Sequence, residues 1–341
     1  MLQRVVVCLV ALLIVPVLPG YMPNIEESSP HNHEGDFLIN SDVRMDTAAA
    51  AVDNETNATI SANRYHTCAI INNGGVRCWG NSQYGRTGGS VVTGVVELPS
   101  GTTALAVTTG LRHSCAIIDN GSIMCWGWNG WGQLGNGNSG MSQSHSVPVD
   151  VLLPPGTMAA DITAGRYYTC AVVTNGSVYC WGDGSNGVLA GNTTASQSTP
   201  TIVTLPRAAV TVDAGEHHAC ALLDNGSISC WGENNMRQRG DGTSEGGCFA
   251  SNCSSPTNAI LPSGRTAVSV QAGNDYTCAV LDNGSAMCWG SNTYGQLGDG
   301  TTCPPVNTSN GCLGTGGLGY GKDAVYVQTL SNNRTIVGIS T

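Results

Sequence analysis

His113-Ser114-Cys115-Ala116-Ile117-Ile118-Asp119-Asn120-Gly121-Ser122-Ile123-Met124-Cys125-Trp126-Gly127 decides the fold. Two short runs of β-prone residues flank Asp-Asn-Gly, a strong hairpin signal. A three-residue loop, Asp119 to Gly121, pairs Ile118 with Ser122 and sets Cys115 opposite Cys125. Gly121 then takes the left-handed position that other residues fill poorly. Side chains alternate faces along a strand. One face carries Cys115, Ile117, Ile123 and Cys125, and the other Ala116, Ile118, Met124 and Trp126. Both are apolar, so the hairpin is expected to lie between two layers.

The unit recurs at Cys68–Gly80, Cys115–Gly127, Cys170–Gly182, Cys220–Gly232 and Cys278–Gly290, always with nine residues between the cysteines. First cysteines are 47, 55, 50 and 58 residues apart. That period indicates a solenoid or a propeller rather than an ordinary single-core domain. A further strand is expected before the hairpin at Thr266–Ala272, Met158–Ala164 and Ile60–Ala62. Another is expected after it at Val95–Leu98, Val149–Leu153, Ile202–Leu205, Ala259–Leu261 and Ala324–Thr329. Four strands per repeat of about fifty residues is the arithmetic of an all-β propeller built from four-stranded blades. Helical periodicity is essentially absent.

The chain has 341 residues, a net charge of −10 at pH 7, and Lys322 as its single lysine. A nucleic-acid partner needs a basic stripe, which the sequence lacks, so nucleic acid is not expected. Anionic membrane surfaces are disfavoured for the same reason. Arg4 followed by the apolar run Val5–Leu18 reads as a signal peptide over residues 1–20, with retention as an anchor the alternative. No stable membrane span is expected once it is removed. Residues 21–57 read as a flexible linker and 58–341 as the propeller.

Setting aside Cys8, fourteen cysteines remain. Ten form the hairpin pairs Cys68/Cys78, Cys115/Cys125, Cys170/Cys180, Cys220/Cys230 and Cys278/Cys288. The others form local pairs inside insertions, Cys248 with Cys253 and Cys303 with Cys312. Disulfides at this density belong to an oxidising compartment. The spacing is not that of zinc ligands. Asn-x-Ser/Thr sequons include Asn54, Asn57, Asn120, Asn175, Asn192, Asn225, Asn283 and Asn333. Several are the hairpin turn itself.

Residues Trp126 to Gly135 and Trp289 to Thr301, with the strands before them, resemble the repeats of the regulator of chromosome condensation family. The resemblance runs over roughly residues 58 to 341 and implies a β-propeller, commonly seven-bladed. The paired cysteines suit secreted members. Tyr168 and Tyr276 replace the family's histidine. Arg237, Gln238 and Arg239 replace Gly, Gln and Leu, and the third copy reads Gly187-Val-Leu-Ala190. Five copies are complete. Thr335–Thr341 aligns with the opening strand Thr266–Ala272, so either the frame stops inside a sixth copy or this strand closes a smaller ring.

His66, His113 and His218 recur once per repeat, which indicates structural hydrogen bonding; His217 and His145 read as solvated. His31, His33, Glu34 and Asp36 fall in the linker and read as a flexible polar tail, with a weak metal site the alternative. Asp241-Gly-Thr, Asp299-Gly-Thr and Asn136-Gly-Asn lack the carboxylate ladder of a calcium loop. No nucleophile elbow, phosphate loop or zincin motif occurs, so no cofactor and no metal are expected and catalysis is not. Insertions in repeat proteins gather on one face, here Gly247–Ser254 and Thr302–Leu313. Trp128, Arg237 and Arg239 add residue types enriched at binding hot spots, whereas Trp131 aligns with Tyr84 and Tyr294 and reads as structural. The expectation is a secreted, non-catalytic propeller binding an extracellular or cell-surface protein. A glycan-binding or adhesion propeller is the alternative. An enzyme ranks lower, as does the nucleotide-exchange role of intracellular family members.

Overall fold

A computed structural model describes residues 60–89, 94–190, 194–244, 255–303 and 321–327, with Cys312, Ile336 and Ile339. The signal and linker readings, the insertion 247–254, most of 304–341 and the sequons at Asn54, Asn57, Asn192 and Asn333 lie outside these residues. The bridge expected between Cys248 and Cys253 also lies outside them.

The described chain forms five four-stranded antiparallel sheets. Sheet 1 is β1 (Ile60–Asn63), β2 (His66–Ile70), β3 (Val76–Gly80) and β4 (Val95–Val96). Sheet 2 is β5 (Ala104–Thr109), β6 (His113–Ile118), β7 (Ile123–Gly127) and β8 (His145–Asp150). Sheet 3 is β9 (Ala159–Ala164), β10 (Tyr168–Val173), β11 (Val178–Gly182) and β12 (Gln197–Val203). Sheet 4 is β13 (Ala209–Ala214), β14 (His218–Leu223), β15 (Ile228–Gly232) and β16 (Thr257–Asn258). Sheet 5 is β17 (Ala267–Ala272), β18 (Tyr276–Leu281), β19 (Ala286–Ser291) and β20 (Gly321–Tyr326). Each sheet is a blade. The first strands of successive sheets pack on one another and form the inner wall. Side chains tie them together: Thr163 Oγ1 donates to Asp213 Oδ1 at 3.0 Å, and Asp213 Oδ2 accepts the Ala272 amide at 2.7 Å.

The register follows from the turn. Ile118 accepts and donates across the loop, its amide bonding the Ser122 carbonyl at 2.9 Å. Alternation along an antiparallel pair then makes Cys115–Cys125 a closely spaced, non-hydrogen-bonded pair. Five hairpin disulfides form there, with Cα–Cα separations of 4.0–4.1 Å. Cys303 and Cys312 are also bridged.

Gly121 has φ +80°, and a Cβ there would lie 2.7 Å from Met158 Cβ. The left-handed φ and that close approach require glycine, and the turn is pressed on the next sheet because its carbonyl receives that sheet's first amide, Ala159 to Gly121 at 2.9 Å. The same link runs from Ala104 to Gly74, Ala209 to Gly176 and Ala267 to Gly226, each at 2.8 Å. Ile336 makes it to Gly284, also at 2.8 Å, so Ile336 stands where a sixth opening strand would begin.

The two faces of each hairpin have different partners. Ala116, Ile118, Met124 and Trp126 pack against Cys68, Ile70, Val76 and Cys78 of sheet 1. Cys115, Ile117, Ile123 and Cys125 pack against Ala171 and Trp181 of sheet 3. The disulfide face of one blade is thus the seat for the tryptophan face of the next, and Trp126, Trp181, Trp231 and Trp289 are fully buried. Trp79 in sheet 1 is 51% exposed, since no described sheet precedes it.

The expected outer strands need correction. Pairing uses polar segments further upstream, His145–Asp150 rather than Val149–Leu153 and Gln197–Val203 rather than Ile202–Leu205. The apolar Val151 and Leu153 fall after the strand and fold down onto the core. β16 and β20 are displaced the same way, and β4 is shorter than expected. The structure also supplies opening strands β5 and β13, which the apolar patterning had not marked out.

Candidate partner-binding face

Strand connections divide the ring into two ends. The Asn-Gly hairpin tips lie at one end. The turns joining first to second strands, and the loops following each Trp-Gly, lie at the other. At the tips Asn120, Asn175, Asn225 and Asn283 are exposed. Each accepts the amide two residues on, at 2.9–3.1 Å.

The opposite end carries the chemistry. Two residues precede each repeated His or Tyr: Arg64-Tyr65, Leu111-Arg112, Arg166-Tyr167, Glu216-His217 and Asn274-Asp275. Over sheets 1 to 3, with residues of the loops after Trp-Gly, they build an alternating ladder. The Arg86 guanidinium carbon lies 5.2 Å from the Tyr65 ring and 5.7 Å from Tyr84. That of Arg112 lies 5.2 Å from Tyr84, 5.3 Å from Trp128 and 5.7 Å from Tyr167. Arg166 continues the row, 5.2 Å from Tyr167. Trp128 meets Tyr167 edge to face at 5.0 Å. Each such contact is worth roughly 0.5–2 kcal/mol depending on burial.

Sheets 4 and 5 reverse the charge. Glu216 Oε1 pairs with Arg166 Nη1 at 2.5 Å. Burial, then the neighbouring Asp275 and Glu216 carboxylates, push Glu233 up to about 7. Burial and Glu216 raise Asp275 to about 6 against the pull of Arg166. His217 is half-buried beside Arg166 and Glu216 rather than solvated, and burial lowers its pKa. On the cationic side, burial and then the charge of Arg112 lower the pKa of Arg86. Between the two arcs, at the mouth of the inner wall, is a cavity of about 150 Å³ lined by Arg64, Tyr65, Arg112, Arg166, Tyr167 and Glu216.

The repeated histidines are joints between blades. His66 Nε2 meets Ser114 Oγ at 2.7 Å, His113 meets Thr169 at 2.8 Å and His218 meets Thr277 at 2.8 Å. Burial first, with nearby positive groups for His66 and His218, lowers all three to about 3 and keeps them neutral. The tryptophans add a second joint: Trp126 Nε1 donates to the Arg86 carbonyl at 3.0 Å and Trp181 Nε1 to that of Gln133 at 2.9 Å.

Of the hot-spot residues read from the sequence, Trp128 belongs to the ladder and is 6% exposed. Arg237 and Arg239 sit apart, in the loop after β15. Arg237 holds φ +67° and pairs with Asp323 at 2.7 Å. Arg239 is 2% exposed and pairs with Asp241 at 2.8 Å. Asp299 is held in the same way by Lys322 at 2.7 Å. Burial alone would raise both aspartates. Threonine donors and the adjacent cation more than offset it, holding each at about 2. Asp241 also accepts from Asn234 and Asp299 from Asn292, so both carboxylates are held within their own loops. Arg64, Tyr65, Arg86, Arg112, Arg166 and Tyr167 were not picked out by the sequence reading, and Tyr84 entered it only as the counterpart of Trp131. The signal for most of them was the changing residue pair before an otherwise repeated His or Tyr.

Residues 120–172 and 175–222 match the regulator of chromosome condensation (RCC1) repeat, and residues 58–86, 105–133, 159–188, 209–238 and 267–296 match a second pattern of the same repeat. Together these segments run over more than half of the chain, and the protein belongs to the RCC1 repeat family. Yeast RCC1 (Prp20), solved bound to Kap60, is similar at TM-score 0.65 and 18% identity, over 80% of this chain and 63% of that one. Human WBSCR16 is similar at 0.64 and 20% identity, over 79% and 66%. Prp20p from Saccharomyces cerevisiae, described with its binding to Gsp1p and histones, is similar at 0.64 and 20%, over 82% and 66%. The chain thus spans slightly under two thirds of these relatives' length. At such identities the likeness shows the fold, an all-β propeller.

Proposed function

We propose that the protein is a secreted, non-catalytic scaffold that binds an extracellular or cell-surface protein through the ladder end of its ring. The observation that carries this reading is the arginine–aromatic ladder. It runs across three blades at one end, and Tyr65 stays 40% exposed. Arginine and aromatic side chains on a rigid frame are what hot spots use, because little conformational freedom is lost on binding. Disulfides at this density favour an oxidising compartment. Among the described residues no helix is long and apolar enough to cross a membrane. Prp20 is known bound to Kap60 and is described with its binding to Gsp1p and histones, which favours protein over other ligands. Guanidinium groups lie against the rings of Tyr65, Tyr84, Trp128 and Tyr167, which leaves less open aromatic surface for a sugar.

The test is capture from the secreted and surface proteins of the source cells, with an Arg112→Glu/Tyr167→Ala variant alongside. A protein retained at least tenfold better by the unaltered chain supports the reading. Equal retention by both, or retention of glycans alone, contradicts it.

A further inference from the structure

Arg112 is enclosed by three aromatic rings and also lines the cavity at the mouth. No carboxylate among the described residues pairs with it. Its neighbour Arg86 is likewise without one: the Arg86 guanidinium donates to the carbonyls of Gln83 at 2.8 Å and Leu111 at 3.2 Å. Two like charges share one enclosure, and their repulsion is part of what lowers Arg86. One blade further on, Arg166, the first rather than the second residue of its pair, already holds the Glu216 carboxylate at 2.5 Å. The site therefore contains a filled arginine–carboxylate pair, Arg166 with Glu216, and on the same cavity an arginine, Arg112, that no described carboxylate pairs with.

We propose that this cavity receives a carboxylate side chain, Glu or Asp, from an exposed loop of the protein partner, which pairs with Arg112 while its backbone packs on Tyr167 and Tyr65. The inference rests on the scaffold reading above and names the chemistry of its partner. A guanidinium offers two parallel N–H donors to a carboxylate, and such charge-assisted pairs are about twice as strong as neutral hydrogen bonds. A space of about 150 Å³ takes one side chain rather than a folded element. The flanking acids decide between anions. Glu216, Glu233 and Asp275 stand on the next two sheets, and the whole chain carries −10. A long polyanion laid across the mouth would run onto that arc and be repelled. A single carboxylate confined to the Arg112 side would not, and a basic residue next to it in the partner would meet the acidic arc favourably.

The experiment titrates the full chain with acetyl-triglutamyl amide and with acetyl-triglutaminyl amide, followed by calorimetry and by tryptophan fluorescence. Triglutamate is expected to bind at least tenfold tighter, with affinity falling as salt rises. Arg112→Gln is expected to lose at least tenfold, and Arg112→Lys to retain part. Arg265→Gln, a change in the cation that faces Asp282 near a hairpin tip, should match the unaltered chain. A thermal melt establishes that each variant is folded. Equal binding of the two peptides, no binding of either, or loss equal in the Arg265 variant overturns the inference. So does tighter binding of a heparin hexasaccharide than of triglutamate, which would assign the mouth to polyanions. The two readings separate. Ladder-dependent retention of a protein without triglutamate binding sinks the carboxylate and leaves the scaffold. Arg112-dependent triglutamate binding with no protein retained does the reverse.

Discussion

Tyr168 in sheet 3 faces Ala219 in sheet 4, and the two residues compensate for one another. Where His66, His113 and His218 stand, the next sheet offers the hydroxyl of Ser114, Thr169 or Thr277. Ala219 has none. The longer phenol, in the same buried cluster as Ala219, donates to backbone carbonyls instead, to His218 at 2.5 Å and Gly215 at 3.1 Å. Burial, with the nearby Asp213, raises the Tyr168 pKa well above its usual value and keeps the phenol a donor.

A double-mutant cycle follows from that pairing. Tyr168→His alone leaves a buried imidazole facing a methyl group and should cost about 1–3 kcal/mol. Adding Ala219→Thr should restore the blade joint seen elsewhere, with a coupling of at least about 1 kcal/mol. Urea unfolding measures both. Strictly additive effects would show that the two positions do not form one joint.

The hairpin bridges staple blades that also pack on one another. Removing one with Cys115→Ser/Cys125→Ser should cost about 2–3 kcal/mol by loop closure over so short a span. The ladder end should keep its peptide affinity, since the pair lies in the blade interior rather than at the mouth. Denaturant midpoints with and without reductant check the first part.

Acid should expose the blade joints. His66, His113 and His218 titrate near 3 when folded and near 6.5 when unfolded. Between those values the unfolded chain binds more protons, so their contribution to stability falls as pH drops from about 6.5 to about 3 and levels off below. Asp241 and Asp299, held at about 2, lose theirs lower, from about 4 to about 2. His113→Gln should flatten the slope above pH 4.5 relative to the unaltered protein. The carboxylates common to both cancel in that difference. An unchanged slope would mean His113 is not buried neutral.

Glu233 works in the opposite direction. Its folded value of about 7 lies above that of an unfolded glutamate, so its contribution is complete below about pH 4 and is lost as pH rises through 7. Glu233→Gln should raise the melting midpoint at pH 8 by about 2 °C, allowing for screening of a partly exposed group, and should leave it nearly unchanged at pH 5. Equal shifts at both pH values would contradict the crowding of Glu233 with Asp275 and Glu216.

The hairpins were legible because two constraints act on the same few residues. The glycine turn sets the register, and that register assigns Cys115 and Trp126 to opposite faces, which pack against different neighbours as expected. The outer strands were not, because β8 and β12 use polar, half-exposed residues whose pairing is decided by the strand beside them. The ladder end was legible only at Trp128. Arg64, Arg112 and Arg166 lie in turns of two or three residues between strands, where no periodicity marks them. Only a comparison between copies shows that the pair before the repeated His or Tyr carries an arginine in sheets 1 to 3 and an acid in sheets 4 and 5. Arg239 has the residue type of a hot spot, and only its contact with Asp241 shows where its charge goes.

The central claim is a disulfide-stapled scaffold working outside reducing compartments. Its most direct test is a thiol count on the exported protein, by alkylation, intact mass and peptide mapping without reductant. The account predicts no free thiol among the fourteen cysteines beyond Cys8 and peptides joined as Cys68–Cys78, Cys115–Cys125, Cys170–Cys180, Cys220–Cys230, Cys278–Cys288 and Cys303–Cys312. A seventh linked peptide, Cys248 with Cys253, is predicted from the sequence spacing alone. Several alkylated hairpin cysteines in exported material, or zinc bound to them, would contradict the account.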